Sequence, residues 1–195
     1  MPSLAVTLSA CVPVLPEEFR SRNARLWVDE HLSRLADRLE RFFREGVPTE
    51  PPPPRFEAEC TPPLEPAFAF FRNALERWTR GPSSPGVPQA FAGAMTEAGI
   101  SNLLLLLGQR RTPASLTDEQ AIPPTRAQLL ASATRCHLDE SLTVAARALS
   151  KHAHRSTEKF WGEIRGPVAV KNAAAVNLIE RILDGATWWN VFGHF

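Results

Sequence analysis

The chain has 195 residues, 44% of them hydrophobic and 22% charged, with a formal net charge of +1. That length builds one domain, or one domain with an ordered arm, and buries a real core. The near-neutral balance excludes a global field that would draw the whole chain to nucleic acid or acidic lipid. Residues 1–100 carry 11 basic and 13 acidic groups and residues 101–195 carry 11 and 8, too small a difference to name a partner. Nineteen Arg stand against three Lys, with no Tyr; GC-rich coding produces that bias, so the Arg preference carries no functional weight.

The opening stretch, Met1 to Pro16, is mildly apolar, lacks a basic residue and is interrupted by Pro13 and Pro16; it satisfies few of the requirements of a cleaved signal. Glu17 to Glu45 reads as one long helix. Val28, Leu32, Leu35, Leu39 and Phe42 recur at steps of four and three and make a heptad-like seam. Gly46 and Pro48 end it. Val47 to Pro66 holds the run Pro51–Pro54 and then Pro62, Pro63 and Pro66. Such a segment favours extended polyproline II. It reads as a stiff connector in preference to a docked proline motif, because the run lacks flanking basic residues.

A second helix is expected over Pro66–Arg80, with Phe68, Phe71, Leu75 and Trp78 on one face. A third begins near Pro88, and Gly99 is placed to interrupt it before the five leucines Leu103–Leu107, which leave no polar face and demand burial all round. Further helices are expected at about Pro124–His137, Asp139–His154, Ser156–Ile164 and Pro167–Asp184. The last has Pro167 in its first turn, a buried stripe of Val170, Ala174, Leu178 and Ile182, and Gly185 as its cap. No segment alternates with period two. The expected fold is all-α, an irregular helical bundle with a proline-rich linker after the first long helix. The divisions fall at 1–46 for the N-terminal segment and helix, 47–66 for the linker, and 67–195 for a helical domain with an aromatic tail. Cys11, Cys60 and Cys136 are odd in number and widely spaced, which argues for a reducing compartment, cytoplasmic or nuclear. No apolar run reaches the length of a membrane span.

The chemistry-bearing residues concentrate between Arg147 and Asn172. Arg147, Lys151, Arg155 and Lys159 recur every fourth residue, and with Lys171 and the helix start at Pro167 they offer a site for phosphate or an acidic partner. A solvated helix face is the plainer explanation. His152, His154, Glu158 and Glu163 are the candidate proton-transfer groups. No zinc-ligand spacing occurs, so no metal is expected, and nothing in the sequence calls for a cofactor. Phe160-Trp161-Gly162, Gly166 and Lys171-Asn172, followed by Leu178 and Arg181, resemble a motif of the NADAR family of small helical ADP-ribose-type N-glycosidases. That family's aromatic-Gly-Leu-Ser-Asn-Phe opening and its Glu-His…Gln-Ala-Lys-Phe helix have no counterpart here. The resemblance implies a nucleotide-type ligand near Trp161, Lys171 and Asn172.

Two functions follow as expectations. The first is a helical protein–protein interaction module or subunit. Its partner would bind through the seam Val28, Leu32, Leu35, Leu39 and Phe42, or through the tail residues Trp188, Trp189, Phe192 and Phe195. The second is a small-molecule or nucleotide-type enzyme, ADP-ribose N-glycosidase-like, centred on residues 147–172. The tail packs so much aromatic surface into so few residues that it must dock on its own core, enter a partner, or continue into a missing element. The β-leaning composition after Gly185 favours the last of these.

Overall fold

The structure, a computed structural model, describes residues 2–50, 57–138, 141–153 and 164–193. Among them the regular elements are α1 (Leu4–Cys11), α2 (Glu17–Arg22), α3 (Asp29–Glu45), α4 (Leu64–Ala69), α5 (Arg72–Arg80), α6 (Gly86–Leu106), α7 (Arg126–Thr134), α8 (Val144–His152) and α9 (Val168–Asp184), with three short 3-10 turns. Isolated β-bridges are present but no strand among the described residues. The fold is all-α, as the sequence indicates. Contacts gather residues 1–123 with 188–195 into one unit and residues 124–187 into a second. The sequence reading places its divisions at 46 and 66; the contacts part after Pro123 and after Thr187.

The first unit is built on α1, α3 and α6. Ser3 caps α1, its Oγ accepting from the Val6 N–H at 3.3 Å, and Leu4, Leu8 and Cys11 are fully buried one above another. The opening apolar stretch is therefore core helix, and burial pushes the Cys11 thiol up to about 12. The long helix expected over Glu17–Glu45 is broken. Asn23 leaves helical geometry and its Nδ2 donates to the Phe19 carbonyl at 2.8 Å, and Val28 is extended ahead of α3. A side-chain amide competing for helix carbonyls is the physical reason. Beyond the break, Leu32, Leu35, Leu39 and Phe42 are buried in this unit's own core, and Val28 is half-buried. The seam is satisfied internally and is not the partner surface proposed for it.

The helix expected over Pro66–Arg80 is two helices, α4 and α5, parted at Phe70–Phe71. The break lets Phe68, Phe71 and Leu75 all reach full burial, with the Phe68 ring edge-on to Phe42 at 5.9 Å. In α6, Gly99 sits at φ +68°, ψ 169° and interrupts the helix where the sequence placed the break. Only glycine adopts that conformation cheaply. Leu103–Leu107 are buried throughout.

The described part of the proline-rich connector is docked. Val47 packs on the core, and Arg110 donates to both carboxylate oxygens of Glu59, Nε to Oε1 at 2.8 Å. The Cys60 N–H donates to the Arg111 carbonyl, and the Arg111 N–H to Thr61 Oγ1, each at 2.8 Å. Residues 51–56, including Arg55, lie outside the described residues. The tail follows the same edge. The Trp189 N–H donates to the Gly108 carbonyl at 3.2 Å, the Arg110 N–H to the Trp189 carbonyl at 2.9 Å, and the Leu116 N–H to the Val191 carbonyl at 3.0 Å. Trp189 and Val191 pack on the core, and the Arg110 guanidinium lies 5.2 Å from the Trp188 ring centre. Of the three fates set out for the tail, docking on its own chain is the one the structure shows, which corrects the expectation of an orphaned strand. Phe192 is exposed; Phe195 lies outside the described residues.

At its other end the first unit grips the chain just before the second begins. Arg25 donates to the Ile122 carbonyl at 3.0 Å, and His31 Nε2 lies 3.0 Å from the Pro123 carbonyl. His31 is buried, so its neutral Nε2–H form donates there, and burial lowers its pKa against the smaller opposing effects of that bond and of Glu30; Arg25 and Arg34 reinforce the lowering.

The second unit is α7, α8 and α9. A Thr125–Gln128 capping box starts α7, Thr143 caps α8, and Arg126 pairs with Asp184 at 3.0 Å, setting the start of α7 beside the end of α9. The helix expected at Pro124–His137 is shorter at both ends, and the one expected at Asp139–His154 begins later, at Val144. The one expected at Ser156–Ile164 lies, but for Ile164, outside the described residues. The stripe on α9 is rotated from the expected one: Val170 is 52% and Ile182 43% exposed, and Ala175 is the buried residue. No helix among the described residues is long and apolar enough to cross a membrane.

Truncation after Thr187 removes three backbone hydrogen bonds and the half-buried Trp189 and Val191. It should destabilise the first unit by about 2–4 kcal/mol, the lower part of the range for large buried side chains, read as a shifted denaturant midpoint. His31 predicts a pH effect. A base whose folded pKa is lowered contributes stability fully above its unfolded pKa, about 6.5, and loses it as pH falls below that value, because the unfolded chain takes up the proton first. His31→Gln should therefore flatten the fall in melting temperature between neutral and mildly acid pH, measured by calorimetry.

Candidate functional site

The basic segment singled out in the sequence falls in the second unit, and the site is built from α8, α9 and the turn between α7 and α8. That turn is a small hairpin. The His137 N–H donates to the Leu142 carbonyl and the Val144 N–H to the Arg135 carbonyl, each at 2.9 Å, with Cys136 bridged to Thr143. Leu138 at its tip has φ +53° and is exposed. Asn172, in the first turns of α9, holds the hairpin's far side. Its Oδ1 accepts from the buried Thr143 N–H at 3.0 Å and its Nδ2 donates to the Ser141 carbonyl at 2.9 Å. The amino ends of α8 and α9 are thus tied together by one side-chain amide.

Helical spacing places Arg147 and Lys151 on one outward face of α8, four residues apart, and both are exposed. His152 lies on the other side. It lines a cavity of about 320 Å³ between α8 and α9 with Ala145, Ala148, Leu149, Ala175, Leu178, Ile179 and Ile182. Lys171 is half-buried on α9, and Arg165 is exposed ahead of it. Of the residues expected to bind ligand, Arg147, Lys151 and Lys171 are solvent-accessible cations of one unit, whereas Asn172 has both ends of its amide engaged in holding the hairpin. Of the expected proton-transfer groups, His152 is described. His154, Arg155, Glu158, Lys159, Trp161 and Glu163 lie outside the described residues. Among the described residues no group of three or more His, Cys, Asp or Glu is placed to hold a metal.

The sequence missed two contributors. Thr143 was passed over because a cap before a helix is visible only once the start of α8 is fixed at Val144 and not at Asp139. Arg126–Asp184 spans 58 residues, beyond any local spacing rule.

Residues 130–193 match the family described as CdiA C-terminal tRNase toxin domain. The match runs from α7 through the hairpin, α8 and α9 and into the docked tail, and covers 64 of the 195 residues, about a third of the chain. No curated protein and no solved structure matches the chain. The family match overturns both expected functions. The likeness to ADP-ribose N-glycosidases rested on a few residues between Phe160 and Arg181. The family match takes in that same stretch and extends well beyond it on both sides. The protein-interaction module rested on a seam now seen to be buried, on the proline-rich connector and an aromatic tail whose Trp189 and Val191 pack on the core, and on the want of a motif.

Asn172→Ala strands the buried Thr143 N–H and frees the Ser141 carbonyl. It should lower the stability of the second unit by about 1–3 kcal/mol, the cost of an unsatisfied buried group. Asn172→Asp keeps the acceptor and should cost less, with amide hydrogen exchange at the amino end of α8 as the readout.

Proposed function

We propose that this chain carries an RNA-cleaving toxin domain in residues 130–193 and that its substrate is tRNA. The observation that carries the reading is the family match, which overlies the basic part of the molecule. Residues 124–187 hold nine Lys and Arg against six Asp and Glu, whereas the rest of the chain holds 13 against 15. A chain that is neutral as a whole thus presents a cationic unit to a polyanion, and phosphate contacts supply most of the affinity in such complexes.

Cleavage of RNA without a metal proceeds by attack of a ribose 2′-oxygen on the adjacent phosphorus. A base removes the 2′-hydroxyl proton, cations stabilise the charge gathering on the phosphoryl oxygens, and an acid protonates the departing 5′-oxygen. Histidine suits either proton transfer near neutral pH, and His152 is the described residue of that kind on α8; His154, Glu158 and Glu163 are its candidate counterparts. Arg147, Lys151 and Lys171 are the candidates for phosphate, with Arg155 and Lys159 continuing the series. A nuclease that acts on tRNA endangers the cell that makes it. A protein partner that neutralises it follows from this reading, as does action in the cytoplasm, where tRNA is and where free thiols stay reduced.

The purified chain incubated with total tRNA should yield discrete fragments on a denaturing gel. His152→Ala should slow cleavage about a hundredfold or more if His152 transfers a proton. Arg147→Ala with Lys151→Ala should weaken tRNA binding and flatten its salt dependence. Intact tRNA after prolonged incubation with folded protein would sink the reading.

A further inference from the structure

Among the described residues of the first unit, arginines over aromatic rings are paired with carboxylates, except on α3. Arg72 lies 5.0 Å from the centre of the Phe68 ring and pairs with Glu65. Arg110 lies over Trp188 and pairs with Glu59. Arg38 and Arg41 lie 5.1 and 5.5 Å from the centre of the Phe42 ring, and neither has an ion pair among the described residues. Arg38 is half-buried, and its Nε is shut away from water with no hydrogen-bond partner. Burial, and then the like charges of Arg41 and Arg34, push its pKa down to about 10, so the guanidinium is still charged at neutral pH. A buried polar group without a partner is costly, and an unpaired cation more so. An apolar side chain of the same length would serve the fold better at this position. Local arrangements that work against the fold are characteristic of functional sites.

Helical spacing makes the feature a row. Arg34, Arg38 and Arg41 stand at i, i+4 and i+7, within about 60° of arc along α3, and rise by about 6 and then about 4.5 Å. Leu35, Leu39 and Phe42 bound the row on its buried side, and Glu30 and Asp37 border it on the other. The neighbouring α1, Leu4–Cys11, contains no charged residue. Phe43, exposed on α3, is two residues from Arg41 and so falls on nearly the opposite side of the helix. The row therefore has no exposed apolar anchor from α3 beside it, which a protein interface needs at its centre. A polyanion needs none. Guanidiniums spaced about a turn apart suit a chain of repeating charges, and each planar fork fits the oxygens of a phosphate.

We infer that Arg34, Arg38 and Arg41 form a binding site on the first unit for the phosphodiester backbone of RNA, outside the stretch that the family model matches. The choice of RNA among phosphate polymers rests on the proposed function; the row of unpaired cations does not. Arg38, half out of water and held over Phe42, gives up little hydration or freedom when a phosphate arrives, and such preorganisation favours binding. The site is a local one, because the chain outside residues 124–187 is slightly acidic as a whole.

The probe is a single-stranded 2′-O-methyl RNA oligonucleotide carrying a fluorophore, bound to the full-length chain and read by anisotropy. It presents the same phosphates, and its methylated 2′-oxygen resists the cleavage proposed above, so binding is read without chemistry. Arg41→Gln should weaken binding severalfold and lower the slope of log affinity on log salt by about 0.7, the single-strand value for one phosphate contact. Arg34→Gln, Arg38→Met and Arg41→Gln together should lower it by about 2. Asp37→Asn, which removes a bordering carboxylate, should tighten binding. Arg38→Met alone should weaken binding while the melting temperature holds or rises, because methionine fills similar space without a charge. If Arg38 serves only to cover Phe42, that variant melts lower and binds as before, and the inference fails. Should Arg38→Met not fold, Arg34→Gln with Arg41→Gln carries the test. Arg77→Gln with Arg80→Gln removes two exposed charges elsewhere on the same unit and should leave the slope unchanged; an equal loss there would mean bulk charge and overturn the site. Polyglutamate bound as tightly, and lost in the same variants, would give the row to an acidic protein and overturn it too. Intact tRNA from a chain whose oligonucleotide binding depends on the row sinks the nuclease reading alone. Cleaved tRNA from a chain whose binding ignores the row sinks the site alone.

Discussion

One buried ion pair organises the first unit. Arg110 and Glu59 are 3% and 12% exposed at their side chains, and the pair stands where three segments far apart in sequence meet. Glu59 belongs to the connector after α3, Arg110 to the extended chain after α6, and Trp188, which Arg110 faces, to the tail. A guanidinium taken out of water needs this carboxylate, and removing either partner leaves a buried charge unpaired, which commonly costs about 3–5 kcal/mol. Neighbouring side chains use up what remains. Arg111 donates from Nε to Gln109 Oε1 at 2.8 Å and from Nη2 to the Ser101 carbonyl at 2.7 Å, and Gln109 donates to the Leu116 carbonyl at 2.7 Å. Burial with no carboxylate of its own lowers the Arg111 pKa. The end of α6, Leu103–Leu106, can be apolar all round because this polar node takes over where the helix stops.

The two units divide the physical tasks. The first buries aromatic and leucine side chains and ties Glu59, Thr61, Gln109, Arg110 and Arg111 into one hydrogen-bonded node. The second is held by caps and one-residue ties: Thr125 and Thr143 at helix starts, Asn172 across two helices, Arg126 to Asp184. Small helical units bury a smaller share of their surface and are correspondingly marginal. Among its described residues the buried hydrophobic layer is Ala146, Ala153 and Ala175, and alanine burial contributes less than that of larger side chains.

What could be read in the sequence followed periodicity. The all-α class, the interruption at Gly99, the buried leucines and the span of α9 all rest on local patterns that survive packing. The single helix over Glu17–Glu45 failed because its apolar stripe, Val28 to Phe42, covers only the later half of that span, and periodicity does not register a side-chain amide that ends a helix. The stripe on α9 failed by one position: Val170, Ala174, Leu178 and Ile182 and the set centred on Ala175 are both acceptable helical faces, and only neighbours choose between them. For the site, cations and histidines drew the sequence reading to residues 147–172, which fall inside the stretch that the family model matches. It assigned Asn172 to ligand because the bonds to Ser141 and Thr143 join residues about 30 apart. The tail was legible as too aromatic to stay wet, but its dock is backbone at Gly108, Arg110 and Leu116, which leaves no mark in side-chain composition.

The family match and the structural units do not share boundaries, and the mismatch has a consequence. The matched stretch, 130–193, contains α8 and α9 but ends in tail residues whose hydrogen-bond partners are Gly108, Arg110 and Leu116. The chain enters the second unit after Pro123, gripped by Arg25 and His31, and leaves it at Trp188, gripped by the Arg110 node. Both ends of the 64-residue excursion 124–187 are therefore fastened to the first unit. Fastening two ends removes conformations from the unfolded segment much as a cross-link does, at a scale set by the logarithm of loop length. A marginal helical unit gains that stabilisation without adding any apolar core of its own. Among the described residues of the second unit the buried layer is Thr143 and three alanines, and the two grips add cohesion that this layer does not.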